Sequence, residues 1–319
     1  MSKKPSVIVL TGPTAVGKTQ LSLRLASELV GEILSADSMQ VYRGMDIGTA
    51  KASPRERALV PHHLIDVADP GESFSVADYV RLAEPVLQDI LRRGKVPLIV
   101  GGTGFYIQAL LKGIDFSESE TEGAERKRLW ERGEREGWES LYRELEQVDP
   151  SSVAALHPNN KKRLVRALEY YYESGEPLSE LNRRQKAQES PYRSLYLVLN
   201  LPREELYARI EARVQQMLQE GLPQEVRRLI SQGLSPSSTA LQALGYKEWM
   251  AAERGEISPQ EAQARIVLGS RHYAKRQLTW FRREKEAVWI KRKEYKTEEE
   301  LYRSVLQLCR SFLNQEENE

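Results

Sequence analysis

Gly12-Pro13-Thr14-Ala15-Val16-Gly17-Lys18-Thr19 decides the fold. It fits G-x-x-x-x-G-K-[ST], the pattern of a loop that cradles phosphate. The apolar run Val7–Leu10 precedes it and a helical pattern, Gln20–Val30, follows. Glycines let backbone N–H groups wrap an anion, and the helix N-terminus adds a favourable dipole. Lys18 is placed to reach the outer phosphate, and the Thr19 hydroxyl to ligate Mg²⁺. The bland alternative is a strand-to-helix turn that happens to be glycine-rich. The full motif in its full context outweighs it. A phosphoanhydride ligand follows, but not which one, nor whether its phosphate is transferred or merely leaves.

Working outward, the first third alternates short apolar runs with helical stretches. Strands are expected at Val7–Leu10, Glu32–Ser35, Leu64–Val67 and Pro97–Val100, with helices at Gln20–Val30 and Val76–Arg93. That alternation predicts an α/β fold, a P-loop NTPase-like parallel sheet flanked by helices. Near Lys112 the character changes. Residues 115–193 hold almost no β-branched run and much Glu, Arg, Leu and Tyr. Asp149-Pro150, a break at His157-Pro158 and a helix Asn160–Ser174 ending at Gly175 predict an inserted all-helical domain. Tyr196–Asn200 reads as a buried strand that resumes the core. The expected division is therefore 1–114 with 194–319, and 115–193. Glu204–Glu284 reads as helical, with turns near Gly233–Ser238 and Gly255–Pro259. Val288–Lys291 reads as a last strand, and Thr297–Glu319 as a helix fading into an acidic tail.

The chain has 319 residues, which suits about two domains at roughly 150 residues each. Its 47 Lys and Arg against 46 Asp and Glu leave a formal charge of +1. That excludes a histone-like polycation but not a local basic patch. One such patch runs from Arg265 to Lys296, with 11 basic residues against 3 glutamates. Tyr273, Trp280 and Phe281 are interleaved with it. The charges suit RNA, and the aromatics read as core. A single cysteine, Cys309, excludes an internal disulfide framework and a Cys-based zinc site, and fits a reducing, cytoplasmic setting. His62, His63, His157 and His272 form no ligand cluster. No apolar run is long enough to span a bilayer, and Met1-Ser2-Lys3-Lys4-Pro5 leads into no signal-peptide core, so no membrane association is expected.

A phosphate loop of this kind usually works with an aspartate after a second apolar strand, to hold Mg²⁺ or take a proton. Asp37 ends Ile33–Ala36 and Asp66 ends Leu64-Ile65. Asp66 reads as a loop cap. Asp37 opens Asp37-Ser38-Met39-Gln40-Val41-Tyr42-Arg43, dense in hydrogen-bonding side chains. A carboxylate at a strand end lies at the ligand crevice of an open α/β sheet, which points to function. Nothing in the residues distinguishes a kinase base from a base for another nucleophile.

The stretch Asp37–Lys51 closely resembles the signature of tRNA dimethylallyltransferases, also called tRNA isopentenyltransferases. Pro61-His62-His63-Leu64-Ile65-Asp66 is similar to the family's next block, and Gly101-Gly102-Thr103-Gly104-Phe105-Tyr106 to its glycine-threonine motif. His157–Asn160 with Arg163 and Arg166–Glu169, Leu244-Gly245-Tyr246 and Lys275–Phe281 complete the set in order, from about Val7 to Trp289. The resemblance implies transfer of the dimethylallyl group of dimethylallyl diphosphate to the exocyclic amine of the adenosine just 3′ of the anticodon. Diphosphate leaves, and no phosphoryl group moves. Gly12, Pro13, Thr14, Ala15, Val16, Gly17, Lys18 and Thr19, with Arg213, are then implied to hold the diphosphate, with Mg²⁺ on Thr19. Asp37 matches the family's base, and Thr103 a threonine beside the reacting centre. Ser38, Met39 and Gln40, with Leu241, Gly245 and Tyr246, are implied to frame the flipped base. Arg126, Lys162, Arg163 and Arg166 of the insertion are implied to grip the anticodon stem-loop. Arg163, Arg166 and Tyr170 fall on one helical face. A monomer is expected, since RNA supplies the large partner surface. Two other readings stay open: a P-loop kinase using the helical insertion as a lid, and a non-catalytic RNA-binding module with a vestigial loop.

Overall fold

A computed structural model describes residues 4–114, 123–157 and 159–315 of the chain. The expected insertion start at Asp115, the proline of the His157-Pro158 break and residues 316–319 of the acidic tail lie outside the described residues.

Apolar alternation builds the sheet. In β1 (Ser6–Thr11), Val7 and Val9 pack on one face and Ile8 and Leu10 on the other. That is the period-two pattern of a strand covered on both sides. The loop Gly12–Gly17 leads into α1 (Lys18–Glu28), followed by β2 (Gly31–Ala36), α2 (Pro54–Leu59) and β3 (His62–His63). Next come α3 (Val76–Arg92), β4 (Val96–Gly101) and α4 (Gly104–Lys112). The order across the sheet is β3-β2-β4-β1-β5-β6, with β5 (Arg193–Asn200) and β6 (Val288–Lys291), and every pair is parallel. The loops after β1, β2, β4, β5 and β6 therefore share one edge, where ligands bind in open α/β sheets.

One expectation is corrected. Leu64–Val67 is not a strand; the third strand is the two residues before it. Leu64 and Asp66 both adopt left-handed φ, at 63° and 59°, which breaks the extended run despite its apolar pattern. Asp66 accepts from Lys51 and Arg57 at 2.7 Å each. Lys51, fully enclosed, also reaches Asp46 and the Tyr42 carbonyl. Asp66 thus anchors a loop.

The chain forms two compact units. One runs to Leu111 and resumes at Pro191; the other is Lys112–Ser190. The second unit holds α5 (Ala124–Glu136), α6 (Trp138–Val148), α7 (Pro150–Ala154), α8 (Lys161–Ser174) and α9 (Leu178–Ala187). Its own core joins Leu129, Leu141, Leu145, Leu164 and Leu168. The first unit continues through α10 (Arg203–Glu220), α11 (Leu222–Ser231), α12 (Tyr246–Glu253), α13 (Pro259–Phe281) and α14 (Glu298–Asn314). Leu21 and Leu25 of α1, Ile210 of α10 and Val305 of α14 cover one face of the sheet. Tyr79 and Leu87 of α3, Ile107 of α4 and Phe281 of α13 cover the other. A third cluster packs Val41, Tyr42 and Met45 against α10–α13.

Glu32 on β2 is 2 % exposed and accepts from Arg93 and His63, with Lys95 at 3.3 Å. Hydrogen bonds from Arg93, then His63 and Lys95, overcome burial and hold its carboxyl down at about 2. A lowered carboxyl stabilises the fold above its unfolded value of 4.5, and that contribution fades as pH falls toward about 2. Glu32→Gln is expected to cost about 1–3 kcal/mol at pH 7. In urea titrations its midpoint gap from wild type should narrow at pH 3; a gap independent of pH would contradict this origin.

Candidate active site

The loop after β1 is fixed by a close backbone approach. Gly12 has φ 141°, and a Cβ there would lie 2.5 Å from the Leu199 carbonyl of β5, so only glycine passes. Gly17, at φ 97°, opens α1. Lys18 Nζ donates to the Gly12 and Pro13 carbonyls at 2.9 Å each, which clasps the loop from within. The lysine is half-buried as a residue but its ammonium is enclosed. Desolvation, then the neighbouring Arg213, lower it to about 7, and Asp37 opposes them.

Arg213, on α10, is close enough to act on Lys18 and to feel Asp37. Burial lowers its guanidinium from the usual arginine range. Two cations crowded at one loop, with no carboxylate among the described residues bonded to either, are costly unless an anion joins them. Asp37 follows β2 directly. Its Oδ1 accepts from Met39 N–H at 2.9 Å, and it lines one cavity with Lys18, Thr19, Ser35 and Gln40. Gln40 is aimed by Ser35, which donates to its Oε1, and by its own donation to the Thr49 carbonyl. Thr103, after β4, accepts from Ser38 N–H at 3.0 Å and donates to Ser38 Oγ at 3.4 Å. Thr103 N–H in turn donates to Ala36 O. The structure thus gathers the loop, Asp37, Ser38, Gln40, Thr103 and Arg213 at the carboxyl edge.

Two residues of this site escaped the sequence reading. Gln277 is buried on α13. Its Oε1 accepts from Thr14 N–H at 2.9 Å, and its Nε2 donates to Gly102 O at 3.0 Å. It ties the phosphate loop to the loop carrying Thr103. A Cβ on Gly102 would strike Gln277 Nε2 at 2.1 Å, which explains the glycine. Tyr273, one turn earlier on α13, lies beside Thr103 and Gln277. Burial, then the Asp37 charge, push its hydroxyl up, so it stays protonated. In the sequence Tyr273 reads as a core aromatic, and Gln277 stands in the block Lys275–Phe281 with no role attached to it.

Leu241 and Tyr246 are fully buried in the third core cluster, and Met39 packs against it. Their side chains fill space. Gly245 begins α12 at φ 98°. Tyr246 donates its hydroxyl to Glu225 at 2.6 Å, and Glu225 accepts from the amides of Asp46, Ile47 and Gly48. This chain of bonds shapes the segment after Gln40.

Within the second unit, Lys162 and Arg163 are exposed on α8. Arg126 and Arg166 both donate to the buried carboxylate of Glu169. Tyr170 is buried, so the face shared with Arg163 and Arg166 turns inward there. In the basic run, Arg265, Arg271, Lys291 and Arg292 each pair with a glutamate, so its charge is partly neutralised. Among the described residues no three His, Cys, Asp or Glu side chains form a metal cluster. Nor is any helix long and apolar enough to cross a membrane.

Known proteins resemble this chain over most of its length. The sequence model of a family described as IPP transferase matches residues 40–284. A tRNA dimethylallyltransferase of Lachnoclostridium phytofermentans is 48 % identical over 302 residues, 95 % of this chain and 96 % of that one. The full-length tRNA isopentenylpyrophosphate transferase of Bacillus halodurans superposes with a TM-score of 0.74 at 39 % identity, covering 99 % of both chains. A eukaryotic dimethylallyltransferase acting on tRNA superposes with a TM-score of 0.79 at 31 % identity, over 90 % of this chain and 74 % of that one. With its phosphate loop, strand-end aspartate and inserted helical unit, the chain belongs to the IPP transferase family.

Proposed function

We propose that this chain transfers a dimethylallyl group from dimethylallyl diphosphate to the N6 amine of the adenosine 3′ to the anticodon in tRNA. The observation that carries the reading is the meeting of Asp37 with Lys18 and Arg213 at one phosphate loop. A kinase would share the loop, but relatives along nearly the whole chain are named for prenyl transfer.

The adenine leaves its stack to enter the site. Its amine is a poor nucleophile, because the lone pair is delocalised into the ring. A carboxylate held in place, as Met39 N–H holds Asp37, supplies an acceptor for the amine proton. The N6–C1 bond forms, the bond from C1 to the diphosphate oxygen breaks, and the N6 proton passes to Asp37. Lys18, Arg213 and the loop amides stabilise charge on the departing diphosphate. Thr103, pinned by Ser38, stands beside the reacting centre. The oxygen donors at hand, Thr19 and Asp37 on one cavity, fit a Mg²⁺ ion held mainly by diphosphate and water. Bound there, the ion would neutralise leaving-group charge.

The exposed Lys162 and Arg163 suit backbone contacts with the anticodon stem-loop, joined by Arg126 and Arg166 at Glu169. Leu241, Gly245 and Tyr246 serve the base's end by holding the loop that frames it. The reading places the enzyme in the cytoplasm, as a monomer.

Labelled dimethylallyl diphosphate, Mg²⁺ and unmodified tRNA should yield prenylated adenosine beside the anticodon. Asp37→Asn is expected to lower kcat by about 10²- to 10⁴-fold while tRNA binding persists. Absence of label with rapid ATP turnover would return the kinase. Gln277→Met, which removes both bridging bonds, should lower kcat about 10- to 100-fold with little change in tRNA affinity. Lys18 gives a pH signature. An anion favours its protonated form, so inorganic diphosphate binding at pH 8 should draw up to about one proton more than in Lys18→Met. The difference should vanish toward pH 6, where Lys18 is already charged. Calorimetry in buffers of different ionisation enthalpy reads this directly.

A further inference from the structure

Two more arginines converge on the phosphate loop. A Cβ built on Gly17 would lie 3.0 Å from Arg292 Nη1, 3.5 Å from Arg292 Cζ and 3.8 Å from Arg209 Nη1. Arg292 follows β6 and so stands at the same edge as the loop. Its side chain is only 8 % exposed although it is an arginine. Its ion-pair partner, Glu298, is 69 % exposed and so contributes little against desolvation. Arg209 lies one helical turn before Arg213 on α10, so the two share a face. Lys18, Arg209, Arg213 and Arg292 therefore crowd one short loop. Cations so placed repel, and among the described residues the carboxylates seen to act on them are Asp37, assigned to the amine, and the peripheral Glu298. A ligand with three or more negative charges spread over two centres answers this arrangement; a single phosphoryl group does not.

We propose that Arg209 and Arg292 form a second phosphoryl-binding pair, which holds one end of the diphosphate while Lys18 and Arg213 hold the other. This rests on the loop being a diphosphate site and adds residues to it. The pair makes the site selective for diphosphate over phosphate. It also assigns Arg292 to the chemistry, apart from any RNA-binding role of the basic run around it.

The test measures inorganic diphosphate, inorganic phosphate and tRNA binding separately, on the full chain. The variants are Arg209→Gln, Arg292→Gln and the charge-keeping Arg292→Lys, with thermal unfolding as a check on folding. Each glutamine variant is expected to weaken diphosphate at least tenfold. Phosphate and tRNA affinity should stay within about twofold, and Arg292→Lys should recover part of the loss. Unchanged diphosphate binding in both glutamine variants would overturn the pair. So would a loss confined to tRNA, which would make these arginines part of the RNA surface. If wild type bound no diphosphate, or bound it equally well with Lys18→Met, the loop reading itself would fail, and the pair with it. If Arg292→Gln failed to fold, Arg292→Lys and the exposed Arg209→Gln would still decide.

Discussion

The close passage of β1 past β5 at Gly12 is the constraint on which the rest of the site depends. A glycine there brings the strand end against the Leu199 carbonyl and turns the chain at once into the loop. Lys18 then clasps that loop by two carbonyls, and Gln277 pins it from outside through Thr14. The same amide reaches Gly102, so the loops after β1 and β4 keep a fixed separation. Ser38 and Thr103 extend the tie to the turn that presents Asp37. Each bond is individually modest. Their value lies in holding a leaving-group site and a proton acceptor at one spacing, because transfer between two substrates depends on that spacing.

The electrostatics follow from the same crowding. Cations gather where backbone amides already point, and burial strengthens every interaction among them. Lys18 is lowered, mainly by desolvation, to about 7, so an arriving anion restores its charge. The helical insertion manages charge differently. There a buried carboxylate, Glu169, accepts from two arginines, while Lys162 and Arg163 stay exposed.

Much of this was legible in the residues. The glycine-lysine motif in its strand–helix setting located the phosphate loop, and strand-end placement singled out Asp37. Loss of β-branched runs near Lys112 marked the insertion. Other features were not legible, for physical reasons. Leu64–Val67 looks like a strand, but Leu64 and Asp66 take left-handed φ and the Asp66 carboxylate is drawn to Lys51 and Arg57, neither of which the apolar pattern reveals. Gln277 meets Thr14 across 263 positions, and no local pattern encodes such a meeting. Tyr246 sits in a matching block, and the fold buries its side chain and directs its hydroxyl to Glu225, which no local pattern foretells. Arg292 reads in the sequence as one charge among many, and only the fold, by burying its side chain, separates it from the rest.

The long reach of these ties bears on how the chain emerges during synthesis. Glu225 accepts amides made 177–179 residues earlier, and β5 flanks β1 only after the whole helical insertion has been translated. Until then the apolar edge of β1 and the segment after Gln40 lack their partners, a state prone to wrong pairing. The insertion, with its own core of leucines, can close while the larger unit waits. A ribosome therefore displays the phosphate loop long before the chain can hold it in shape.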